Sequence, residues 1–556
     1  MKKISMFVLP LMVGALLFQG CKKDLTVVPG DKISSETFWE SPNDARLALN
    51  GCYSIFASAW TNVYEDAKTD NAYAQHPWES NATAIAAGNI NATLDAGYNG
   101  GYQTVRKTNY FLDNIDKVEM DSALQQRFIA EAKTIRAFAY FNLAWTFGPV
   151  PLIKHYSVEE SDYKIAPTPE DEVIQFCLTE LSDAAKDLPN SYQGGENYET
   201  GRVTKGAALS IKARIELYYE MWADAAKDAQ TVMGLGYELF QINSLSKEDS
   251  VENFSKFVDF ENNAAKVKFY KGVASYMQQF WKANDGNSGV ILASQNLQDS
   301  DFPNSLRTYF APANLSGWSS ITPTQALVNA YWNLDGTKFN PSSREQRATN
   351  YNKGNPNNAF FNEYENRGTR FYASILFQGA SWNRFQNGYV FHWTGNGSNN
   401  SKTSYNFTKL VDPKYTDQSM NAPNDFPIIR YAEILLTYAE AKNEASGPTT
   451  AVYDALDLIR ERAGMPDVDR AEYNSKTKLR KLIHHERRIE LAGEGQRAAD
   501  IRRWEIGDEV MHNVYDLNND VVQQRKWQDK FVKMPYPQAA LDHNPNLEAA
   551  QDEKGY

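Results

Sequence analysis

Cysteine is scarce in this chain. The sequence also lacks an excess of positive charge and long apolar runs. Only three cysteines occur in 556 residues, too few for a fold held together by disulfide bonds. The 57 lysines and arginines stand against 69 aspartates and glutamates, which gives a net charge of -12. That sign is wrong for neutralising nucleic-acid phosphates, so nucleic acid is excluded as a partner. The 42% hydrophobic content excludes disorder and predicts a large folded core.

The sequence also lacks the motifs of common catalytic and metal sites. It contains no GxSxG, no Walker loop, no GxGxxG and no HExxH. The adjacent pair His484 and His485 would point about 100 degrees apart on a helix, which does not favour a metal site. We therefore expect no metal ligands, no cofactor and no catalytic residues.

Three glutamates on one predicted helical face raise an enzymatic alternative. Glu486, Glu490 and Glu494 are spaced four residues apart, and paired carboxylates hydrolyse glycosides. The same segment supplies arginines within i+3 or i+4 reach, so structural salt bridges are favoured for these glutamates. The arginines are Arg487, Arg488, Arg497, Arg502 and Arg503. A glycosidase that uses two acids from the loop-rich middle of the chain stays an alternative hypothesis.

The amino-terminal segment predicts export. Two lysines precede an apolar run over residues 4–18, which is shorter than the roughly 20 residues that a membrane-spanning helix needs. We expect residues 1–20 to be a secretion signal. The residues before Cys21 resemble a bacterial lipobox, in which the cysteine is acylated; ordinary cleavage with an incidental Cys21 thiol is the alternative. Acyl chains on Cys21 would anchor the protein without a transmembrane helix, and residues 21–30 would be a tether.

Helical spacing of apolar residues dominates both ends of the chain, which predicts a mainly α fold. Ser41 and Pro42 are typical of an N-cap and a first helical residue, and predict a helix through Phe56. A buried helix is predicted from Glu131 up to Gly148. Further helices are predicted at 169–188, 204–221, 223–235, 430–444, 451–463 and 475–491. Cys52 and Cys177 fall in helix-like segments, where buried free thiols are favoured over a disulfide.

Two of the predicted helix pairs share an internal spacing. Small alanine side chains at such positions let paired helices pack closely, as in tetratricopeptide repeats. Two unrelated helical hairpins are the alternative. Both pairs contain three residues separated by 4 and then 12 positions. They are Leu209, Ala213 and Ala225 in the first pair, and Leu435, Ala439 and Ala451 in the second.

The helical period fades in the middle of the chain. Asn, Ser, Gly and Pro crowd the stretches NDGNSG, NPNN and TGNGSNN, while aromatic residues stay frequent. Long irregular segments on a rigid scaffold commonly carry binding sites. We therefore expect a single domain over residues 31–556, with a helical scaffold at about 31–239 and 426–556 and a loop-rich lobe at about 240–425.

Tryptophans in polar loops are the candidates for ligand binding. A sugar ring presents a face of C–H groups and a rim of hydroxyls, so its site needs a flat aromatic surface beside polar groups. The alternative for each tryptophan is that it packs its loop onto the scaffold. The candidates are Trp78, Trp281, Trp318, Trp382 and Trp393.

Six blocks, in order along the chain, are similar to the SusD/RagB family of nutrient-uptake outer-membrane lipoproteins. They are EAKTIRAFAYFNLAWTFGPVPL, GRVTKGAALSIKARIELYY, FPIIRYAEILLTYAEAKNEA, LIRERAG, ERRIELAGEGQRAADIRRW and MPYPQAALDHNPNL. The resemblance implies a SusD-like helical scaffold with tetratricopeptide-like helix pairs and a loop-rich lobe, held on the outer membrane by lipid. It also implies a non-enzymatic protein that captures oligosaccharides at the cell surface and delivers them to a SusC-like TonB-dependent transporter. Peptide binding, or an envelope scaffold without a small ligand, are the alternatives.

The resemblance also implies where a ligand would bind. In the family the site is built from a loop after the first helix and from loops in the middle of the chain. By position, this implies Asp70, Asn71, Trp78, Trp281 and Trp318 as ligand-binding residues. The three tryptophans would stack on sugar rings, and the two polar residues would hold hydroxyls by hydrogen bonds.

Overall fold

The computed structural model describes residues 38–56, 59–192, 199–297, 305–395, 397–416 and 422–556. The fold is mainly helical, which confirms the predicted fold class. The predicted secretion signal, Cys21 and the tether lie outside the described residues. Within the described ranges, none of the helices has both the length and the apolar character needed to cross a membrane.

The first part of the chain forms a stack of helices. Ser41 caps the first of them, because its side chain accepts a hydrogen bond from the amide of Asp44 and the Asp44 carboxylate accepts one from the Ser41 amide, as the sequence predicts. The helices are α1 Pro42–Cys52, α2 Ala59–Ala67, α3 Ala82–Ala86, α4 Tyr98–Leu112, α5 Ser122–Phe147, α6 Glu170–Asp187, α7 Lys205–Tyr218 and α8 Trp222–Met233.

Four of these helices differ from the sequence prediction, since α2, α3 and α4 are not predicted and α5 starts earlier than predicted. Helix α5 begins nine residues before Glu131, at Ser122, with Asp121 as its cap. Helix α4 has no counterpart among the predicted helices. Its buried face includes Thr104, Thr108 and Asn109, so the apolar spacing that reveals a helix in sequence is interrupted there.

The middle of the chain contains mostly short elements. The exception is α9, a regular 16-residue helix in a stretch where no helix is predicted. Its buried residues include Phe269, Tyr276 and Met277, and they hold it in the same core as the scaffold. The helices are α9 Asn263–Gln278, α10 Leu306–Phe310, α11 Gln325–Ala330, α12 Arg344–Tyr351, α13 Asn358–Phe361 and α14 Thr369–Ser374.

The last part of the chain returns to longer helices that pack on the first stack. Helix α15 packs against α8, so the two predicted helix pairs, α7 with α8 and α15 with α16, contact each other. Ala213, Ala225 and Ala439 are fully buried, as close packing requires, whereas Ala451 is exposed at the first turn of α16. The helices are α15 Tyr431–Ser446, α16 Thr450–Arg462, α17 Lys476–Glu490, α18 Arg497–Arg503, α19 Gly507–Val510, α20 Gln538–His543 and α21 Glu548–Glu553.

Strands are short and pair two by two in the described part of the chain. All four pairs are antiparallel, and β1 with β3 matters most for the site because it joins the helical scaffold to the loop-rich lobe. The strands are β1 Ala72–Ala74, β2 Val290–Ser294, β3 Ile321–Pro323, β4 Ile375–Leu376, β5 Asn406–Phe407, β6 Phe426–Arg430, β7 Val514–Tyr515 and β8 Val521–Gln523; the pairs are β1–β3, β2–β6, β4–β5 and β7–β8.

Cys52 and Cys177 are both buried free thiols, which confirms the favoured interpretation. Burial raises the pKa of the Cys52 thiol to about 12 and the pKa of Cys177 further still. Both side chains therefore behave as small apolar residues of the core.

Glu486, Glu490 and Glu494 lie in a buried ion network, which bears out the structural salt bridges favoured by the sequence. The prediction that arginines of the same segment are their partners is wrong. The glutamates point into the core, where other segments supply the cations. The pairs are Glu486 with Arg370 and Arg460, Glu490 with Arg370, Arg430 and Arg462, and Glu494 with Lys409 and Arg430.

The network sets the pKa of its acids. Burial raises the pKa of Glu486, but the neighbouring guanidinium groups of Arg370 and Arg460 outweigh burial and lower that pKa to about 2. Glu490 shows the same balance, with its pKa lowered by Arg462, Arg430 and Arg370 against the effect of burial. These carboxylates stay ionised and are not suited to the protonated acid that glycoside hydrolysis needs.

The free energy of unfolding is expected to fall as the pH drops from about 4.5 towards 2. The folded-state pKa of Glu486, about 2, is below its ordinary value of 4.5, so in this window the unfolded chain binds more protons than the folded one. The stabilisation is present above the ordinary value and is lost as the pH falls through the folded-state pKa. Urea unfolding at a series of pH values measures this. A Glu486→Gln variant should show a shallower pH dependence, and an equal slope in both proteins would contradict the assignment.

Candidate functional site

The β1–β3 pair brings Trp78 and Trp318 to the same end of one small sheet. In its register Ala72 faces Pro323 and Ala74 faces Ile321. Trp78 follows β1 and Trp318 precedes β3, so both lie beyond the Ala74–Ile321 end. Two loops far apart in sequence therefore present their tryptophans from one place.

Hydrogen bonds fix the two loops to each other. The Gln75 amide donates to the carbonyl oxygen of Ser320 at 2.9 Å, which continues the ladder past β1. The Gln75 side-chain Nε2 donates to the carbonyl oxygen of Trp318 at 2.6 Å, and the Trp318 amide donates to the Thr308 carbonyl at 2.7 Å. The backbone beneath Trp318 is thus held from two sides.

The indole rings themselves are accessible. Trp78 is 78% exposed and Trp318 is 38% exposed, and both rank among the large apolar side chains that face solvent. The His76 ring is buried and stacks on Trp78, with centroids 4.8 Å apart and planes inclined by 30°. We call Trp78, Trp318 and His76 the aromatic surface. An exposed aromatic patch of this kind, held on a rigid base, is typical of a binding site.

Further aromatic residues support the aromatic surface from behind. The Tyr309 ring meets Trp318 edge-on at 6.4 Å and meets Trp60 edge-on at 4.9 Å. Tyr64, on the same helix as Trp60, donates its hydroxyl to Glu79, which also accepts from the Ser320 hydroxyl at 3.1 Å. Glu79 thereby joins the loop of Trp78 to the start of β3.

The side chains that form and support the aromatic surface include one carboxylate. It belongs to Glu79, and its two oxygens accept from Tyr64 and Ser320. Its charge is therefore spread over two hydrogen bonds. A surface with exposed rings beside the Gln75 amide fits an uncharged ligand that offers C–H faces and hydroxyl groups.

In the described part of the chain, Trp281 makes no ring contact with Trp78 or Trp318. Its ring is partly buried, and the guanidinium of Arg384 lies 5.5 Å from its centroid. The next residue is fixed twice, because the Lys282 amide donates to Asp412 at 2.9 Å and the Lys282 amine pairs with Asp285 at 2.8 Å. The ligand role of Trp281 alongside the other two tryptophans stays a prediction.

Asp70 and Asn71 are buried at the start of β1. The Asp70 carboxylate accepts from Arg497 Nε at 2.9 Å and lies 2.8 Å from Arg488 Nη2, while Asn71 Oδ1 accepts from Arg488 Nε at 2.9 Å. Burial raises the pKa of Asp70, but Arg488 and Arg497 outweigh it and lower the pKa to about 2. The ligand role of both residues stays a prediction. In this structure the Asp70 carboxylate and the Asn71 side-chain oxygen face arginines, and these contacts position β1.

Trp382 and Trp393 are packed inside, as the packing alternative predicts for tryptophans in loops. The Trp393 ring nitrogen donates to the Ser401 carbonyl at 2.7 Å, and the Trp382 ring packs on Phe385. Sequence reasoning missed His76, Gln75, Tyr309 and Trp60. His76 and Gln75 stand within three residues of Trp78, so proximity to that tryptophan is the signal that could have found them.

Within the residues that the structure describes, no group of three or more His, Cys, Asp and Glu side chains is arranged to hold a metal ion. The geometry of the aromatic surface is that of a stacking platform.

Two protein-family models match the sequence. The model described as the SusD family matches residues 278–556, and the model described as starch-binding associating with outer membrane matches residues 48–217. The first match includes Trp281, Trp318 and all of the buried ion network, and the second includes the loop of Trp78.

Similar proteins span nearly the whole chain. A SusD-like protein of Formosa agariphila is 24% identical over 548 residues, which cover 96% of this chain and 98% of that protein. The crystal structure of a SusD-like protein from Bacteroides fragilis has a TM-score of 0.76 and 26% identity, and covers 93% of this chain and 98% of its own. A SusD-like carbohydrate binding protein from Bacteroides fragilis has a TM-score of 0.75 and 25% identity, and covers 92% of this chain and 100% of its own.

Proposed function

Because the chain belongs to the SusD family, we propose that it is a non-catalytic glycan-binding protein, anchored by lipid at Cys21 to the outer membrane. In this proposal it captures oligosaccharides at the cell surface and delivers them to a SusC-like TonB-dependent transporter. Residues 31–556 act as one domain. The structural relative that is described as carbohydrate binding supports the ligand class.

The exposed indole of Trp78, beside Trp318, is the observation that carries the proposal. A solvent-facing tryptophan leaves apolar area that a ligand can cover, and here two are fixed on the same strand pair. The alternative of a scaffold without a small ligand predicts tryptophans packed inward. Trp382 and Trp393 fit that alternative, but Trp78 and Trp318 do not.

The net negative charge of the chain favours neutral sugars over sulfated or uronic-acid polymers. The named groups include no lysine or arginine that could pair with sulfate or carboxylate, and the chain as a whole carries a net charge of -12. A polyanion would be repelled by that field, whereas a neutral glycan would not. Peptide binding is the second outcome that a ligand screen must distinguish.

Replacing Trp78 or Trp318 by alanine is expected to weaken glycan binding by about 1 to 3 kcal/mol, the scale of a lost aromatic stacking contact. The melting temperature should stay nearly unchanged for Trp78→Ala, because that ring is 78% exposed. The measurement is a screen of the soluble protein, residues 22–556, on an array of neutral and sulfated glycans and peptides, followed by calorimetric titration of the best ligand.

Leu47→Ala serves as the control, since Leu47 is 51% exposed on α1 and lies outside the aromatic surface. It should leave the dissociation constant unchanged. Binding of no glycan on the array would contradict the proposed function. If a glycan binds the Trp78→Ala/Trp318→Ala variant as tightly as the parent, the proposed site is wrong even though the ligand class is right.

A further inference from the structure

A large cleft lies at the other end of the β1–β3 pair from the aromatic surface. Asp70 precedes β1, and Thr324 and Gln325 follow β3; all three line this cleft. From Gln75 back to Asp70 the chain covers five residues, at most about 17 Å at the rise of an extended strand. The cleft and the aromatic surface are therefore near neighbours on one structural element.

The cleft has the size of a ligand site. Its walls are α11, the loop and first turn of α12 over residues 342–347, and residues 510–516, which include β7. Its volume is about 750 Å³. Sites for small ligands in proteins span roughly 300 to 1,000 Å³, so the cleft can take several sugar rings.

Several polar groups that line the cleft have no hydrogen-bond partner in the described part of the protein. Within the part of the chain that the structure describes, these groups make no hydrogen bond to other protein groups, although each could donate one. Convergent polar groups of this kind fix the orientation of a bound ligand. They are Asn329 Nδ2, Ser342 Oγ, the Arg344 guanidinium, the His512 ring, Asn513 Nδ2 and the Tyr515 hydroxyl.

Tyr515 and Arg344 also provide a flat surface. The Arg344 guanidinium lies 3.9 Å from the centroid of the Tyr515 ring, and the nearest carboxylate to it is Glu345 at 3.8 Å. Both side chains are partly accessible. A stacked tyrosine and guanidinium combine an apolar plane with donors at its edge, which matches the C–H face and hydroxyl rim of a sugar.

The charges along the cleft are balanced. Arg347 pairs with Glu363 at 2.6 Å, and Arg525 donates to the Ala72 carbonyl at 2.7 Å, so neither is free to hold an anion. Asp70 is likewise engaged by arginines. The groups that remain available are mostly neutral donors, which favours a neutral ligand rich in hydroxyls over an anionic one.

We propose that this cleft is a second glycan subsite, which holds sugar units of the same oligosaccharide beyond those that stack on Trp78 and Trp318. The inference rests on the proposed function and adds that the protein selects for chain length. Long oligosaccharides would contact both ends of the β1–β3 pair, whereas a disaccharide would occupy the aromatic surface alone.

The test compares disaccharides with hexasaccharides of neutral glycans by calorimetric titration. The probes are maltose with maltohexaose, laminaribiose with laminarihexaose, and the corresponding pair of the strongest neutral glycan on the array. The cleft variant is Arg344→Ala/Tyr515→Phe, which removes two donors but keeps the ring that packs in β7. Ser342→Ala/Tyr515→Phe is a second, milder variant, and Gln103→Ala, an exposed amide on α4, is the control.

We expect the cleft variants to bind the hexasaccharide about tenfold more weakly than the parent and the disaccharide equally well, as the loss of one or two hydrogen bonds predicts. Trp78→Ala should weaken both, and Gln103→Ala neither. Equal hexasaccharide affinity in parent and folded cleft variants would overturn the subsite and leave the proposed function standing. If the parent binds no glycan of either length, the proposed function itself fails, and the inference with it. If the cleft binds a peptide from the array and no glycan, the proposed second subsite is also overturned.

Discussion

The Glu490→Ala variant is expected to lose about 3 to 5 kcal/mol of its free energy of unfolding, the scale for breaking a buried ion pair from one side. Glu490 is fully buried and contacts Arg370, Arg430 and Arg462. Three network glutamates already face five cations, so removal of one glutamate leaves more positive charge without compensation. Urea or thermal unfolding of the soluble protein measures the loss.

Two further variants separate charge from volume. Glu490→Gln keeps the shape of the side chain but not its charge, and it should lose most of the same stability. Glu461→Ala, an exposed glutamate on α16, should lie within about 0.5 kcal/mol of the parent, as surface substitutions usually do. A Glu490→Gln variant as stable as the parent would show that the network charge contributes nothing to stability.

The Cys21→Ala variant is expected to disappear from the outer-membrane fraction. If Cys21 carries the acyl chains, its loss removes the only anchor proposed for the protein, because each buried CH2 of an acyl chain contributes about 0.8 kcal/mol to membrane binding. The full-length protein is expressed in a bacterial host with labelled palmitate, and both the label and the fractionation are followed.

Cys177→Ala is the matched control, since Cys177 is a buried thiol of the folded body. That variant should take up label and sediment with membranes as the parent does. Labelled Cys21→Ala protein in the outer-membrane fraction would contradict lipidation at this residue.

Six helices of the scaffold could be predicted from sequence to within a few residues, because long apolar periodicity and capping residues mark them; they are α6, α7, α8, α15, α16 and α17. Ser41 and Pro42 mark the start of α1, and α6 begins at Glu170 where 169 is predicted. Helix α4 could not be predicted, since its buried side has threonine and asparagine where an apolar stripe is expected. Tertiary packing, rather than local pattern, fixes it.

The candidate site was predictable in its residue types and only partly in its geometry. Trp78 and Trp318 stand out as tryptophans in polar loops, but their joint position depends on β1 and β3, which are three residues each and carry no strand signal. Asp70 and Asn71 have the composition of a sugar site. Their burial beside Arg488 and Arg497 depends on contacts across 417 to 427 residues, which no local pattern reveals.

Those distant contacts have a consequence for the order in which the protein assembles. Asp70 meets Arg497 across 427 residues, and the carbonyl of Thr146, near the end of α5, accepts from the amide of Met534. Contacts so far apart along the chain form late in folding, after the intervening segments have been delivered. A chain that is still being synthesised can complete local helices, but it cannot fix the start of β1 until residue 497 has been made.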